Sequence, residues 1–306
     1  MRLSVRAATL GLLAPLLLAL AACGNRPAIS STPVPPASNS QAAAMAAFTP
    51  TSAIDCVSGT ITLAGSTAIQ PLVEAAAALY EARCPGSTIV VQGGGSGVGL
   101  NEVSQGTVQI GASDTSAEAP NLATLVDHRI AREGFALVTS KDIMVRNLSQ
   151  AQAMNIFTCS TTNWKDVGGP DEPIVVLLRP LTSGTRTVFR NLVLQGAQEC
   201  QTGTTLTEDS SEAVRLAVEQ TIGSISVIGF AYFADPSAKT ALNIVAYNGV
   251  SPTLANMRGG AYTITADAHL YTKGEPTGLV KAFLDYMLSD DVQQQVIPDL
   301  NFAPIR

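Results

Sequence analysis

Three short turns constrain this 306-residue chain more than any other feature. Each is rich in Gly, Ser and Thr, follows a strand signal and opens a helix signal. They are Gly65-Ser66-Thr67-Ala68, Gly93-Gly94-Gly95-Ser96-Gly97-Val98-Gly99 and Leu181-Thr182-Ser183-Gly184-Thr185. A strand that turns directly into a helix returns to its sheet as a parallel neighbour, whereas antiparallel neighbours need only a hairpin. Around the first two turns the pattern predicts a strand at 59–64, an Ala-rich helix at 71–83 and a β-branched strand at 88–92. A helix at 98–105 and a strand at 108–112 follow. This βαβαβ rhythm implies a parallel sheet with right-handed crossovers.

A second set of elements begins after residues 136–146. Helices are expected at 149–158, 185–194 and 210–220, strands at 173–178 and 226–231, and a last helix at 279–288. No internal repeat is visible. The coarse picture is an α/β protein with two lobes.

The first 22 residues stand apart. Arg2 and Arg6 precede an apolar stretch that is short and interrupted by Pro15, the signature of a signal peptide. It ends in Leu20-Ala21-Ala22-Cys23, similar to the lipobox of bacterial lipoproteins, so Cys23 is the expected lipidation site; an uncleaved anchor is the alternative. Residues 23–55 are Pro-, Ser- and Ala-rich and aperiodic, and read as a disordered tether. No later segment approaches the ~18 consecutive apolar residues of a membrane span.

Four more cysteines in an exported chain suggest two disulfides, with three connectivities open. The favoured pairing is Cys56–Cys84 with Cys159–Cys200, because Cys56 precedes a strand and Cys84 ends the helix after it. Free thiols and metal ligation are the competing readings. Metal ligation is the weaker of the two, since there is no C-x₂-C pair and the only histidines are His128 and His269.

The formal charge is −6, and loss of Arg2 and Arg6 with the leader makes it −8. This argues against a nucleic-acid binder, which needs a basic face. It does not exclude one small anion. Strand-to-helix turns present free backbone N–H groups and hydroxyls at helix N-termini, where open α/β sheets bind ligands. Any one turn is explained by N-capping alone; three beside Arg179 are not. Arg179 ends an apolar strand and can grip a tetrahedral oxyanion through two donors. Arg186, inside the next helix, is either a second donor or an ion pair that closes the domains.

Asp114 ends the third strand in Ile110-Gly111-Ala112-Ser113-Asp114. A carboxylate at an anion site accepts a hydrogen bond from a P–OH but repels the lone pairs of a fully ionised sulfate, which is a basis for selection. Its competing role is an N-cap for a helix in 118–126. Enzyme signatures are missing: the glycine turn fits neither G-x-G-x-x-G nor a P-loop, and there is no G-x-S-x-G elbow. A serine hydrolase remains only the reading from another class.

Together these residues resemble the phosphate-binding protein of the bacterial phosphate ABC transporter, over nearly the whole body from Thr60 to Ile305. Arg179, Ser183, Gly184 and Thr185 match its R-x₃-S-G-T motif. Supporting matches are Ile156-Phe157-Thr158 with Asn163-Trp164, Ile228-Gly229-Phe230-Ala231-Tyr232, and Phe302-Ala303-Pro304-Ile305. The resemblance implies a type II periplasmic-binding-protein fold, two lobes joined by hinge strands with a ligand cleft between them. It places lobe 1 at 56–140 plus 266–306 and lobe 2 at 141–265, with crossovers near 138–142 and 261–267.

It also implies that phosphate meets Thr67, Ala68, Ser96, Asp114, Arg179, Ser183, Gly184 and Thr185, with Ser66, Gly97 and Arg186 as further candidates. Ala68 stands where some members carry Phe, so a backbone contact survives but the pocket wall differs. The implied protein is a monomeric extracytoplasmic receptor of the cell envelope. It delivers inorganic phosphate to ABC permease subunits, catalyses nothing, and needs no cofactor or metal. Another tetrahedral oxyanion, an organophosphate, or a phosphate-sensing or adhesive surface lipoprotein are the alternatives.

Overall fold

The computed structural model describes Phe48 and residues 50–51, 53–119, 122–202, 205–234 and 236–306. The leader, Cys23 and most of the tether lie outside the described residues. The described end of that tether is not free. Thr51 donates to Asp291 from its N–H and its hydroxyl, at 2.8 and 2.7 Å, and Phe48 and Ile54 pack on the core.

Among the described residues ten strands form the sheet system. In chain order they are β1 (Gly59–Gly65), β2 (Ser87–Gly94), β3 (Ile110–Ser113), β4 (Leu125–Thr139), β5 (Asn147–Leu148), β6 (Val175–Leu178), β7 (Leu206–Thr207), β8 (Ser224–Gly229), β9 (Asn243–Tyr247) and β10 (Thr265–Lys273). The main path runs β2-β1-β3-β10-β4-β8-β6-β7, with β9 between β4 and β5. Strands β1, β2 and β3 are parallel, as their βαβαβ pattern requires. Strand β10 is antiparallel to both β3 and β4.

Helices α1 (Gln70–Arg83) and α2 (Ser96–Gln105) cross over between those parallel strands. Pro71 opens α1, where its missing N–H costs nothing. Gly106, with φ 77°, closes α2 in the left-handed conformation. Farther on lie α3 (Gln150–Phe157), α4 (Gly184–Leu192), α5 (Ser211–Gln220) and the short α6 (Pro236–Ala241) and α7 (Leu254–Arg258). The last full helix is α8 (Gly278–Met287). Ser149 and Gln152 form a reciprocal capping box on α3.

Among the described residues strand β4 is the longest element, and the sequence pattern missed it as it missed β9 and β10. It pairs with β10 from Leu125 to Gly134, with β8 from Phe135 to Thr139 and with β9 from Leu137 to Thr139. One strand therefore belongs to two sheets. Two large hydrophobic cores follow this division, and a smaller one lies around Leu100, Val103 and Tyr271. The first is built on α1, α8 and the β1–β3 region, with Tyr80 edge-on to Phe283 at 5.9 Å. The second gathers α3, α4, α5, β6 and β8, with Trp164 buried and its indole N–H donating to the Gly223 carbonyl at 2.8 Å. Residues 118–126 hold no α-helix among the described residues. The N-capping alternative for Asp114 therefore falls.

Both disulfides form with the favoured pairing, Cys56–Cys84 (Cα–Cα 5.1 Å) and Cys159–Cys200 (5.8 Å). They link residues 28 and 41 apart, and loops of that size lower denatured-state entropy by about 3–4 kcal/mol each in the chain-entropy picture. Among the described residues no helix is long and apolar enough to cross a membrane, and no group of three His, Cys, Asp or Glu could hold a metal.

Candidate functional site

The three turns do converge. Because β1, β2 and β3 are parallel, their carboxyl ends lie together, and backbone bonds stitch them: Gly95 N–H to the Gly65 carbonyl, and Ser66 N–H to the Ala112 carbonyl, both 2.9 Å. From the other half of the sheet, the turn before α4 meets the turn before α2. Gly97 donates its N–H to the Thr182 carbonyl at 2.9 Å. Two glycines make that approach possible. A Cβ on Gly95, whose φ is 93°, would fall 2.8 Å from the Thr182 carbonyl oxygen. A Cβ on Gly184 would fall 2.1 Å from Ser96 Oγ.

Polar side chains of types that are mostly exposed elsewhere in proteins are buried here: Ser66, Thr67, Ser96, Asp114, Arg179, Ser183 and Thr185. Asp114 Oδ1 accepts from Ser66 Oγ, and Oδ2 accepts from Thr185 Oγ1 at 3.1 Å. Ser96 Oγ accepts the Asp114 N–H at 3.0 Å, which fixes the backbone from which that carboxylate projects. Burial pushes the Asp114 carboxyl above the usual range, opposed by the Ser66 and Thr185 hydroxyls and by Arg179.

Arg179 carries the positive charge of the site. It is 4% exposed, and among the described residues it forms no ion pair. Its Nε and one Nη2 bond hold the carbonyls of Glu208 and Asp209 at 3.0 and 2.9 Å. The remaining bonds go to the hydroxyls of Ser211 (3.0 Å) and Thr67 (3.1 Å). Burial pulls its pKa down, and the field of Asp114 works against that. A buried guanidinium answered only by neutral groups is costly unless an anion joins it.

Several expected roles change. Arg186 is neither a second site donor nor a contact across the two halves. It pairs with Glu199 through Nη2–Oε2 and Nε–Oε1 at 3.1 Å each, and donates to the Arg179 carbonyl. Arg190 joins the same carboxylate, so the cluster braces the base of the site from within one half. The Gly97 N–H is taken by Thr182, and Ser183 Oγ caps α4 by accepting the Arg186 N–H at 3.3 Å. Ala68 lies against Gly229 and packs with the second core although it follows β1. Its N–H meets Ser66 Oγ at 3.1 Å.

Three residues were missed. Ser211, at the start of α5, bonds both Arg179 and Thr67; the Ser210-Ser211 pair opening a helix was a fourth turn of the same kind. Tyr232 donates its hydroxyl to the Thr67 carbonyl at 2.5 Å. Glu133, on β4, is buried with Asp114 as its charged neighbour.

A family model for a PBP superfamily domain matches residues 50–291. The chain is 43% identical to the phosphate-binding protein PstS of Bacillus subtilis over 251 residues, 81% of each protein. It belongs to the PBP superfamily, in the family of the PstS phosphate-binding proteins. PstS of Borreliella burgdorferi is 24% identical, across 80% of this chain and 90% of that one. Among solved structures, a substrate-binding protein from Clostridium perfringens with bound phosphate superposes with a TM-score of 0.75 at 28% identity, covering 81% of this chain and all of the other. An ABC-type phosphate transport receptor from Vibrio cholerae gives 0.63 at 25% identity, covering 79% and 99%. The fold is thus the two-lobed periplasmic-binding fold that the family resemblance implied.

Proposed function

We propose that this protein captures inorganic phosphate between the two halves of its sheet and hands it to an ABC permease, without catalysing a reaction. The observation that carries this reading is Arg179: buried, cationic, free of any carboxylate partner among the described residues, and aimed with Thr67 and Ser211 toward the turn that holds Asp114. On binding, a tetrahedral anion exchanges the mutual bonds of Arg179, Thr67 and Ser211 for bonds to its own oxygens. The Ala68 and Gly184–Thr185 N–H groups at the helix starts add donors. Asp114 accepts a hydrogen bond from the P–OH that phosphate keeps and sulfate lacks.

In this reading 56–134 with 266–306 forms one lobe and 135–265 the other, the boundary expected near 140 moving to where β4 changes partners. Strand β4 is a hinge, and the change of partners between Gly134 and Phe135 is where it bends. Closure follows because the anion touches Asp114 from one lobe and Arg179 from the other. Cys23 carries the lipid that holds the monomer to the envelope, and the −8 charge belongs to its outer surface. The test is a calorimetric panel of phosphate, arsenate, a phosphonate and sulfate. Phosphate is expected to bind at least about a hundred-fold tighter than sulfate, the scale on which an unmatched polar group rejects a ligand. Equal affinity would remove Asp114 as the selector, and a phosphonate bound tighter than phosphate would make the protein an organophosphonate receptor.

A further inference from the structure

Glu133 is 2% exposed, and neither of its carboxyl oxygens finds a hydroxyl, amide or cation. Such a group is expensive to bury unless it has a function or a shared proton. Sheet register shows which way it faces. Glu133 on β4 lies opposite Ala266 on β10, and Ala131 lies opposite Ala268. On the far side of β10, Ala112 of β3 lies opposite Leu270. Side chains at Ala112, Leu270, Ala268, Ala266 and Glu133 therefore share one face of the sheet, and Asp114 continues that face past the end of β3. The two alanines between them are small enough to leave the carboxyls in reach of each other.

The charged and titratable surroundings are few. Asp114 acts on Glu133 directly; beyond Asp114 stand Arg179, from the end of β6, and the Tyr232 hydroxyl. The chain neighbour Arg132 points to the opposite face, where it pairs with Asp267. Burial and the adjacent Asp114 charge both hold Glu133 well above the usual carboxyl range, so it is the neutral member of the pair.

Lone pairs then decide the geometry. A carboxylate offers about four acceptor positions. At Asp114, Ser66 and Thr185 each take one. We propose that Glu133 is a positioning residue of the anion site: as a neutral acid it donates a hydrogen bond to Asp114, occupying a third position and leaving one for the hydroxyl of a protonated tetrahedral oxyanion. Asp114 is thereby held as a charged, oriented acceptor that cannot take up a proton from solvent in place of the ligand's. The inference rests on the anion-binding reading above and assigns that site its selecting partner.

The experiment compares the full-length protein with Glu133→Gln, which keeps a donor of the same shape, and Glu133→Met, which keeps volume without a donor. Infrared spectra at neutral pH are expected to show the C=O stretch of a neutral carboxylic acid in the parent protein and its loss in Glu133→Gln. Calorimetry is expected to place Glu133→Gln within about three-fold of the parent for phosphate. Glu133→Met should lose about ten-fold or more in the phosphate-to-sulfate ratio, the scale of one hydrogen bond to a charged group. Absence of the infrared band, or a Glu133→Met ratio equal to that of the parent, overturns the proposal. Failure of the parent protein to bind phosphate would instead overturn the functional reading, and the infrared arm would still decide whether the two carboxyls share a proton.

Discussion

The two sides of the site are built from opposite charges, each lacking the partner it would have in an ordinary protein core. The side on β3 and β4 brings two carboxyl groups, Asp114 and Glu133, together. The side on β6 brings Arg179 and keeps the nearby carboxylate, Glu199, occupied with Arg186 and Arg190. Had Glu199 reached Arg179, the guanidinium would have been neutralised inside its own half. On the phosphate-binding reading proposed above, separating the charges makes Arg179 the source of affinity and Asp114 the source of selection. It also makes closure depend on the ligand that satisfies both.

The largest expected effect breaks the cationic side. Arg179→Ala should lower phosphate affinity by at least about a hundred-fold, because it removes a buried charge and several charge-assisted bonds at once. Calorimetry measures the loss, and circular dichroism is expected to show the fold retained. Near-normal binding would take Arg179 out of the site and undo the contrast.

A smaller change tests whether the two sides must touch. In Gly184→Ala the added methyl would meet Ser96 Oγ at 2.1 Å and Asp114 Cβ at 2.9 Å. Overpacking of this kind costs about 1–3 kcal/mol, and here it should appear as weaker phosphate binding with little change in thermal midpoint. Unchanged affinity would mean that the two turns need not close on the ligand.

The bracing cluster sharpens the comparison from the stability side. Burial alone would raise the Glu199 carboxyl, yet bonds from Arg186 and Arg190 outweigh it and hold the group below the usual range. A depressed folded-state value gives stability that is present above the unfolded value of about 4.5 and lost as pH falls below it. Glu199→Gln should therefore cost about 3 kcal/mol at neutral pH, less as acid is added, by urea denaturation at several pH values. Glu133 has the opposite sign, since its raised value makes the folded state lose stability as pH rises. A Glu199→Gln penalty that is flat with pH would show that the cluster stabilises by packing alone.

Much of this was legible from residue patterns. The turns at Ser66, Ser96 and Ser183 declare themselves because strand, glycine and hydroxyl occur within a few residues of one another. Arg179 stands out as a charge at the end of an apolar strand. The ambiguity at Arg186 could not be resolved that way, since Glu199 is thirteen residues away and its nearness depends on how the chain after α4 folds back. Ser211 escaped for a related reason: its contacts with Arg179 and Thr67 span 32 and 144 residues.

Strands β4 and β10 show the limit most clearly. Residues 125–133 read Leu-Val-Asp-His-Arg-Ile-Ala-Arg-Glu, a mixture without clean alternation: over this stretch β4 is laddered to β10 alone, the register shifts between Arg129 and Ala131, and the other edge meets only the Arg132–Ala303 bridge.

By itself the amino-acid sequence determined the α/β order, the three helix-opening turns, the disulfide partners suggested by position, and the types of group available to an anion. Those are local properties, set by backbone preference and side-chain chemistry over a few residues. Tertiary structure alone decided which charges were spent. It paired Arg186 with Glu199, left Arg179 without a carboxylate partner among the described residues and buried Glu133 beside Asp114. Each of those outcomes depends on distances across strands far apart in the chain, and electrostatic energy in a buried site is governed by such distances rather than by composition.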